Sequence, residues 1–146
     1  MTSDPIQLLI EQLEEERAHL RLVLEQVPGG AIAQRPAGGA WSIIENVRHL
    51  LFAEQLHLVR PFDKQLEWSP LGYDPDGMQE ARKLPPITTT PSLEDVLTAW
   101  DEIHPATIAL LERTEADVAQ AALERNLKHL RAHLKVIERL ARNAES

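Results

Sequence analysis

With 146 residues, 43% of them hydrophobic and 26% charged, the chain has material for one ordinary hydrophobic core, so a single domain over residues 1–146 is expected. The formal net charge is −8, and fifteen Lys and Arg are scattered among twenty-three acids without a basic stripe, which leaves a nucleic-acid backbone nothing to dock on. The absence of cysteine removes disulfides, thiolate ligands and thiol nucleophiles together and suits a reducing compartment, so any chemistry falls to histidine, carboxylate or metal.

Residues 1–5 have no basic segment leading into an apolar one, and no apolar run approaches the roughly 20 residues of a membrane span, so a soluble, cytoplasmic protein is expected. Aromatics are only 4%, while Leu, Ala, Glu and Arg dominate, which points to an all-α fold.

In chain order, the spacing of Ile6, Leu9, Leu13, Leu20, Leu24 and Val27 predicts a first helix over 5–27, with Asp4 as its N-cap and Pro5 in its first position. Pro28-Gly29-Gly30 stops it. Ser42-Ile43-Ile44-Glu45 is a capping box and opens a second helix, whose stripe is Ile44, Val47, Leu50, Leu51 and Leu58. Pro61 is expected to kink this helix into a short second segment over 62–66. Residues 68–91 are rich in Pro, Gly and Asp and read as a long connection with at most one helical turn near Met78 to Arg82.

A third helix opens at Ser92 and continues through Val96, Trp100, Ile103 and Leu111, with a kink expected at Pro105. A polar break around Thr114 to Asp117 precedes a fourth, carried by Leu123, Leu127, Leu130, Leu134, Ile137 and Leu140. Four amphipathic helices with one long connection, between the second and third, imply a four-helix bundle.

Of six histidines, His129 and His133 stand at i and i+4, one above the other along a helix edge with Asn126 and Val136. Neutral imidazoles suit first-row divalent metals, yet the spacing alone is equally that of ordinary helix residues among Lys128, Arg131 and Lys135. His49, two turns into the second helix beside Leu50 and Leu51, is the best third ligand; a core-edge histidine bonded to a carbonyl is the plainer reading. Glu45, at i−4 from His49, has three candidate roles: orienting the ring, approaching the metal, or capping alone. His57, two turns beyond His49, is placed to line the same end of the cavity but reads more simply as a packed or exposed helix residue; His19 and His104 remain unassigned, and Trp41, Trp100 and Phe62, large enough to wall a pocket, read as core or end-cap packing.

The run Trp41-Ser42-Ile43-Ile44-Glu45-Asn46-Val47-Arg48-His49 resembles the W-[ST]-x-x-E-x-x-x-H opening of the second helix in the DinB/YfiT-like superfamily, and His129-Leu130-Arg131-Ala132-His133 resembles its H-x-x-x-H. The resemblance spans nearly the whole chain. It implies a four-helix bundle with a three-histidine site for a divalent metal such as Zn or Ni on His49, His129 and His133, and a homodimer. One departure is Val136, which stands where many relatives carry Gln.

A three-histidine set leaves a coordination position open, the mark of a catalytic metal, and the resemblance implies hydrolysis or thiol S-transfer on a small-molecule substrate. No Ser-His-Asp constellation can be picked out, so catalytic residues beyond the ligands are unassigned. The alternative is a non-enzymatic bundle, a binding or stress-related homodimer whose metal is structural or absent.

Overall fold

Side-chain caps fix where the helices begin. In the computed structural model, which describes residues 4–87 and 89–145, Asp4 accepts a hydrogen bond from the Ile6 amide at 3.0 Å and Pro5 opens helix α1 (Pro5–Glu25). The capping box is complete at the start of α2 (Ile43–Leu58): Ser42 Oγ accepts from the Glu45 amide at 3.3 Å, and Glu45 Oε1 accepts from the Ser42 amide at 2.9 Å. Ser92 caps α4 (Leu93–Glu112) by accepting from the Asp95 amide at 3.1 Å. Residues 1–3, read above for the lack of a basic leader, and Thr88 in the long connection lie outside the described residues.

Five α-helices are present among the described residues, with no strand, where the spacing predicts four. The fifth is α3 (Pro75–Ala81), inside the long connection. Asp74 accepts from the Gly77 amide at 2.6 Å and Pro75 takes the first position, the same Asp-Pro start that opens α1.

Other boundaries also differ from the expected ones. Helix α1 ends at Glu25 rather than 27. Helix α2 stops at Leu58: the Val59 and Arg60 amides both turn back to the Gln55 carbonyl, at 3.1 and 2.8 Å, and Pro61 lies within a series of turns instead of a kinked second segment. Helix α4 runs unbroken through Pro105. The polar break after it shrinks to residues 113–115, so α5 (Ala116–Glu145) is 30 residues long. No helix is long and apolar enough to cross a membrane among the described residues.

Helix α5 packs against α1 and α2, and α4 packs against α2 and α5. The core between them is built from Leu13, Leu20, Val47, Leu51, Leu58, Val96, Leu111, Leu123 and Ile137 among others. Helix α2 is buried on nearly every side, with only Arg48 and Leu56 partly exposed. The connection that follows it folds back along it: the Ser69 amide donates to Gln55 Oε1 at 3.0 Å, and Arg48 Nε donates to the Leu71 carbonyl at 3.0 Å. Gly72 is required at this contact, since a β-carbon there would lie 2.9 Å from Leu51 Cγ.

One polar network crosses the core. His104 on α4, 5% exposed, donates through Nδ1 to Glu54 on α2, 1% exposed, at 3.0 Å from each carboxylate oxygen, and its Nε2 meets Glu14 on α1. Arg17 on α1 lies 5.1 Å over the Trp100 ring and pairs with Asp101 at 3.1 Å. Burial works against a charged His104, but the hydrogen bond and charge of Glu54, with Glu14 beyond, outweigh burial and the nearby Arg17, and its pKa is raised.

A histidine whose folded pKa is raised contributes stability that is full below its unfolded value, about 6.5, and is lost as pH rises through the folded one. Urea denaturation from slightly acid to mildly alkaline pH is therefore expected to show stability declining above about 6.5. In Glu54→Gln that decline is expected to be much reduced; an undiminished decline would refute the pairing.

Candidate metal centre

The register fixed at Ser42 turns His49 toward α5, whose own period brings His129 and His133 to meet it. One ring nitrogen from each of the three lies within 4.8 Å of the other two. His49 Nε2 is 3.0 Å from His129 Nε2, and the His133 ring centroid is 4.6 Å from that of His49 and 4.5 Å from that of His129. The structure thus brings together all three residues singled out in the sequence, from two helices that are far apart along the chain.

The surroundings are poor in anions. His133 Nδ1 is 2.9 Å from Asn46 Oδ1, His49 Nδ1 is 3.3 Å from the Met78 sulfur, and the buried His129 Nδ1 has no hydrogen-bond partner among the described residues. Trp41 and Phe52 flank the His49 ring, with centroids 5.1 and 6.0 Å away, and Trp68 stacks behind Phe52. Trp41 is held by donating from Nε1 to the Ala81 carbonyl at 2.9 Å, so α3 and Met78 close over His49. His49 is therefore not the carbonyl-bonded core histidine of the plainer reading.

Burial, reinforced by the neighbouring imidazoles, pushes the pKa of His49 down to about 3 and that of His133 to about 4, and burial lowers His129 as well. All three are neutral at pH 7, the form that carries a lone pair for a metal. The donor set fits a divalent cation: two facing Nε2 atoms 3.0 Å apart repel unless a proton or a cation lies between them, and ligands of a tetrahedral zinc stand about 3.3 Å apart.

Glu45 has the capping role. Arg35 donates to its two oxygens, Nε at 3.0 Å and Nη2 at 2.8 Å, and Ser42 Oγ donates to it at 2.9 Å, so its oxygens are committed away from the histidines. Burial raises its pKa, but these bonds outweigh burial and hold it below the usual carboxylate value. Val136 is half-buried and has no polar atom to offer His133; the acceptor comes from Asn46 instead.

A fourth histidine belongs to this surround. His57 is buried and meets the His129 ring edge-on at 5.3 Å, with Nδ1 3.3 Å from the Asn126 amide nitrogen. Its position two turns after His49 was the available signal. His19 is instead half exposed near Glu138 on α5. Trp100 and Phe62 pack against the core, as expected, whereas Trp41 stands against a site histidine.

The sequence profile of the DinB superfamily matches residues 12–142. The chain belongs to the DinB superfamily. No curated protein and no solved structure matches it. The family assignment and the three-histidine cluster together fit a metal-binding site.

The depressed histidines give the metal-free protein an acid sensitivity in a window distinct from that of His104. Unfolded histidines take up a proton near 6.5, whereas His49 and His133 resist it down to about 3 and 4 when folded. Stability of the metal-free protein is thus expected to fall as pH drops from about 6.5 toward 4, and less steeply in His133→Gln. Equal slopes in the two proteins would contradict this burial of neutral imidazole.

Proposed function

We propose that this protein is a metal-dependent enzyme acting on a small molecule by hydrolysis or thiol S-transfer, with one divalent ion, Zn, Ni or similar, on His49, His129 and His133. The reading carries with it a four-helix bundle of the DinB/YfiT type in which α3 is an insertion, a cytoplasmic setting and a homodimer. The observation that supports it is the convergence of three neutral imidazoles within 4.8 Å, with Glu45 engaged elsewhere. A set of three protein ligands leaves a position for water or substrate.

When bound there, a divalent metal supplies Lewis acidity and lowers the pKa of a water or thiol ligand. The protein's own residues hold three imidazoles neutral and oriented, and Trp41, Phe52 and Met78 exclude water from the His49 side.

Elemental mass spectrometry of the untagged protein tests the reading beside a triple variant, His49→Ala, His129→Ala and His133→Ala. Near-stoichiometric metal that is lost in the variant is expected. Metal-free preparations whose stability and spectra do not respond to added zinc or nickel would overturn it.

A second reading, a non-enzymatic bundle with a structural metal, is favoured by one observation. A cleft of about 290 Å³ at the start of α2 is walled by Arg35, Glu45, Arg48 and Tyr73 and by none of the three histidines. Cobalt substitution separates the two readings: visible absorption bands that shift when a small thiol is added indicate an open position and the enzyme, and bands that do not shift indicate a closed, structural site.

A further inference from the structure

We infer that Asn46 is a positioning residue that locks the His133 imidazole in its Nδ1–H tautomer, so that Nε2 turns a bare lone pair toward the other two histidines. The inference rests on the metal-centre reading only for its consequence in metal affinity; the tautomer itself is a property of the metal-free protein.

Asn46 is 3% exposed and sits in the first turn of α2. Its amide nitrogen donates to the Ser42 carbonyl at 2.9 Å, and its amide oxygen lies 2.9 Å from His133 Nδ1. The two ends of a side-chain amide are distinct: NH₂ only donates and the oxygen only accepts. Turning the amide over would set its oxygen against the Ser42 carbonyl and its NH₂ against His133, leaving a buried pair of acceptors face to face. The Ser42 carbonyl thus decides which end of Asn46 faces α5, and an oxygen facing Nδ1 requires Nδ1 to carry the hydrogen. Ser42 is in turn immobilised by the capping box, so the start of α2 dictates the proton position on a ring of α5.

The other two rings constrain only each other, since their Nε2 atoms, 3.0 Å apart, need one hydrogen between them that either can carry. His49 Nδ1 faces only a thioether, a weak acceptor, and His129 Nδ1 has no partner among the described residues. Tautomer information therefore enters the cluster through His133, and an Nε2 lone pair held in advance spares the rearrangement that ligation would otherwise require.

Long-range ¹H–¹⁵N correlation spectra of the metal-free protein read the tautomer directly. His133 is expected with a protonated Nδ1 and a bare Nε2 in the wild type. Asn46→Leu is expected to show mixed tautomers and, in chelator competition, roughly 10- to 100-fold weaker zinc binding.

A wild-type His133 protonated on Nε2, or an Asn46→Leu variant with tautomer and affinity unchanged, would overturn the inference. Should Asn46→Leu fail to fold, the wild-type spectrum alone decides the tautomer. If the spectra are as expected but the wild type binds no zinc, the metal-centre reading falls and the role of Asn46 stands.

Discussion

The carboxylate of Glu45 holds the start of α2, and most of the structure is arranged around that helix. It accepts from the Ser42 amide and hydroxyl and from both arms of Arg35, while Arg35 Nη1 also donates to the Leu84 carbonyl at 3.2 Å. One ionised group therefore ties together the α1–α2 connection, the first turn of α2 and the exit from α3. Leu84 adopts a positive φ of 52°, costly for a branched side chain, at the point where Arg35 grips its carbonyl. Because helical register is periodic, fixing the first residue of α2 also fixes that His49 faces α5 and that Glu54 meets His104 of α4.

The two faces of α2 treat imidazole in opposite ways. Around His49 the neighbours are other imidazoles, a thioether and indole and phenyl rings, so desolvation prevails and the ring stays neutral. Around His104 two carboxylates outweigh desolvation and favour the cation. A neutral ring can ligate a metal; a doubly bonded cation can only hold helices together. The division of labour between a candidate site and an internal strut thus follows from where the acids stand.

The connection after α2 is structural as well. Gln55 and Arg48 staple it to the helix, Gly72 lets its backbone touch Leu51, and α3 then carries Met78 onto His49 and accepts the Trp41 indole. This explains a helix that is buried all round although its sequence shows a single apolar stripe: Arg48, Glu45, Asn46 and Gln55 have their polar atoms satisfied by loop backbone, Arg35 and caps rather than by water.

The sequence by itself determined the helical class, the starts of α1, α2 and α4 and the three histidines, because caps and helical spacing are local and rest on neighbours within four residues. It also held, unread, the Asp74-Pro75 start of α3 and the polar Glu54 and His104 standing in otherwise apolar stripes, while Arg17, whose charge run Glu14-Glu15-Glu16-Arg17 reads most simply as a solvated helix face, instead lies over the Trp100 ring. Only the tertiary structure decided that these meet as one network, that Pro61 ends a helix while Pro105 does not, and that Glu45 turns to Arg35 instead of His49. Those outcomes depend on which groups from distant segments satisfy a given donor or acceptor, and no spacing within one helix encodes a partner on another.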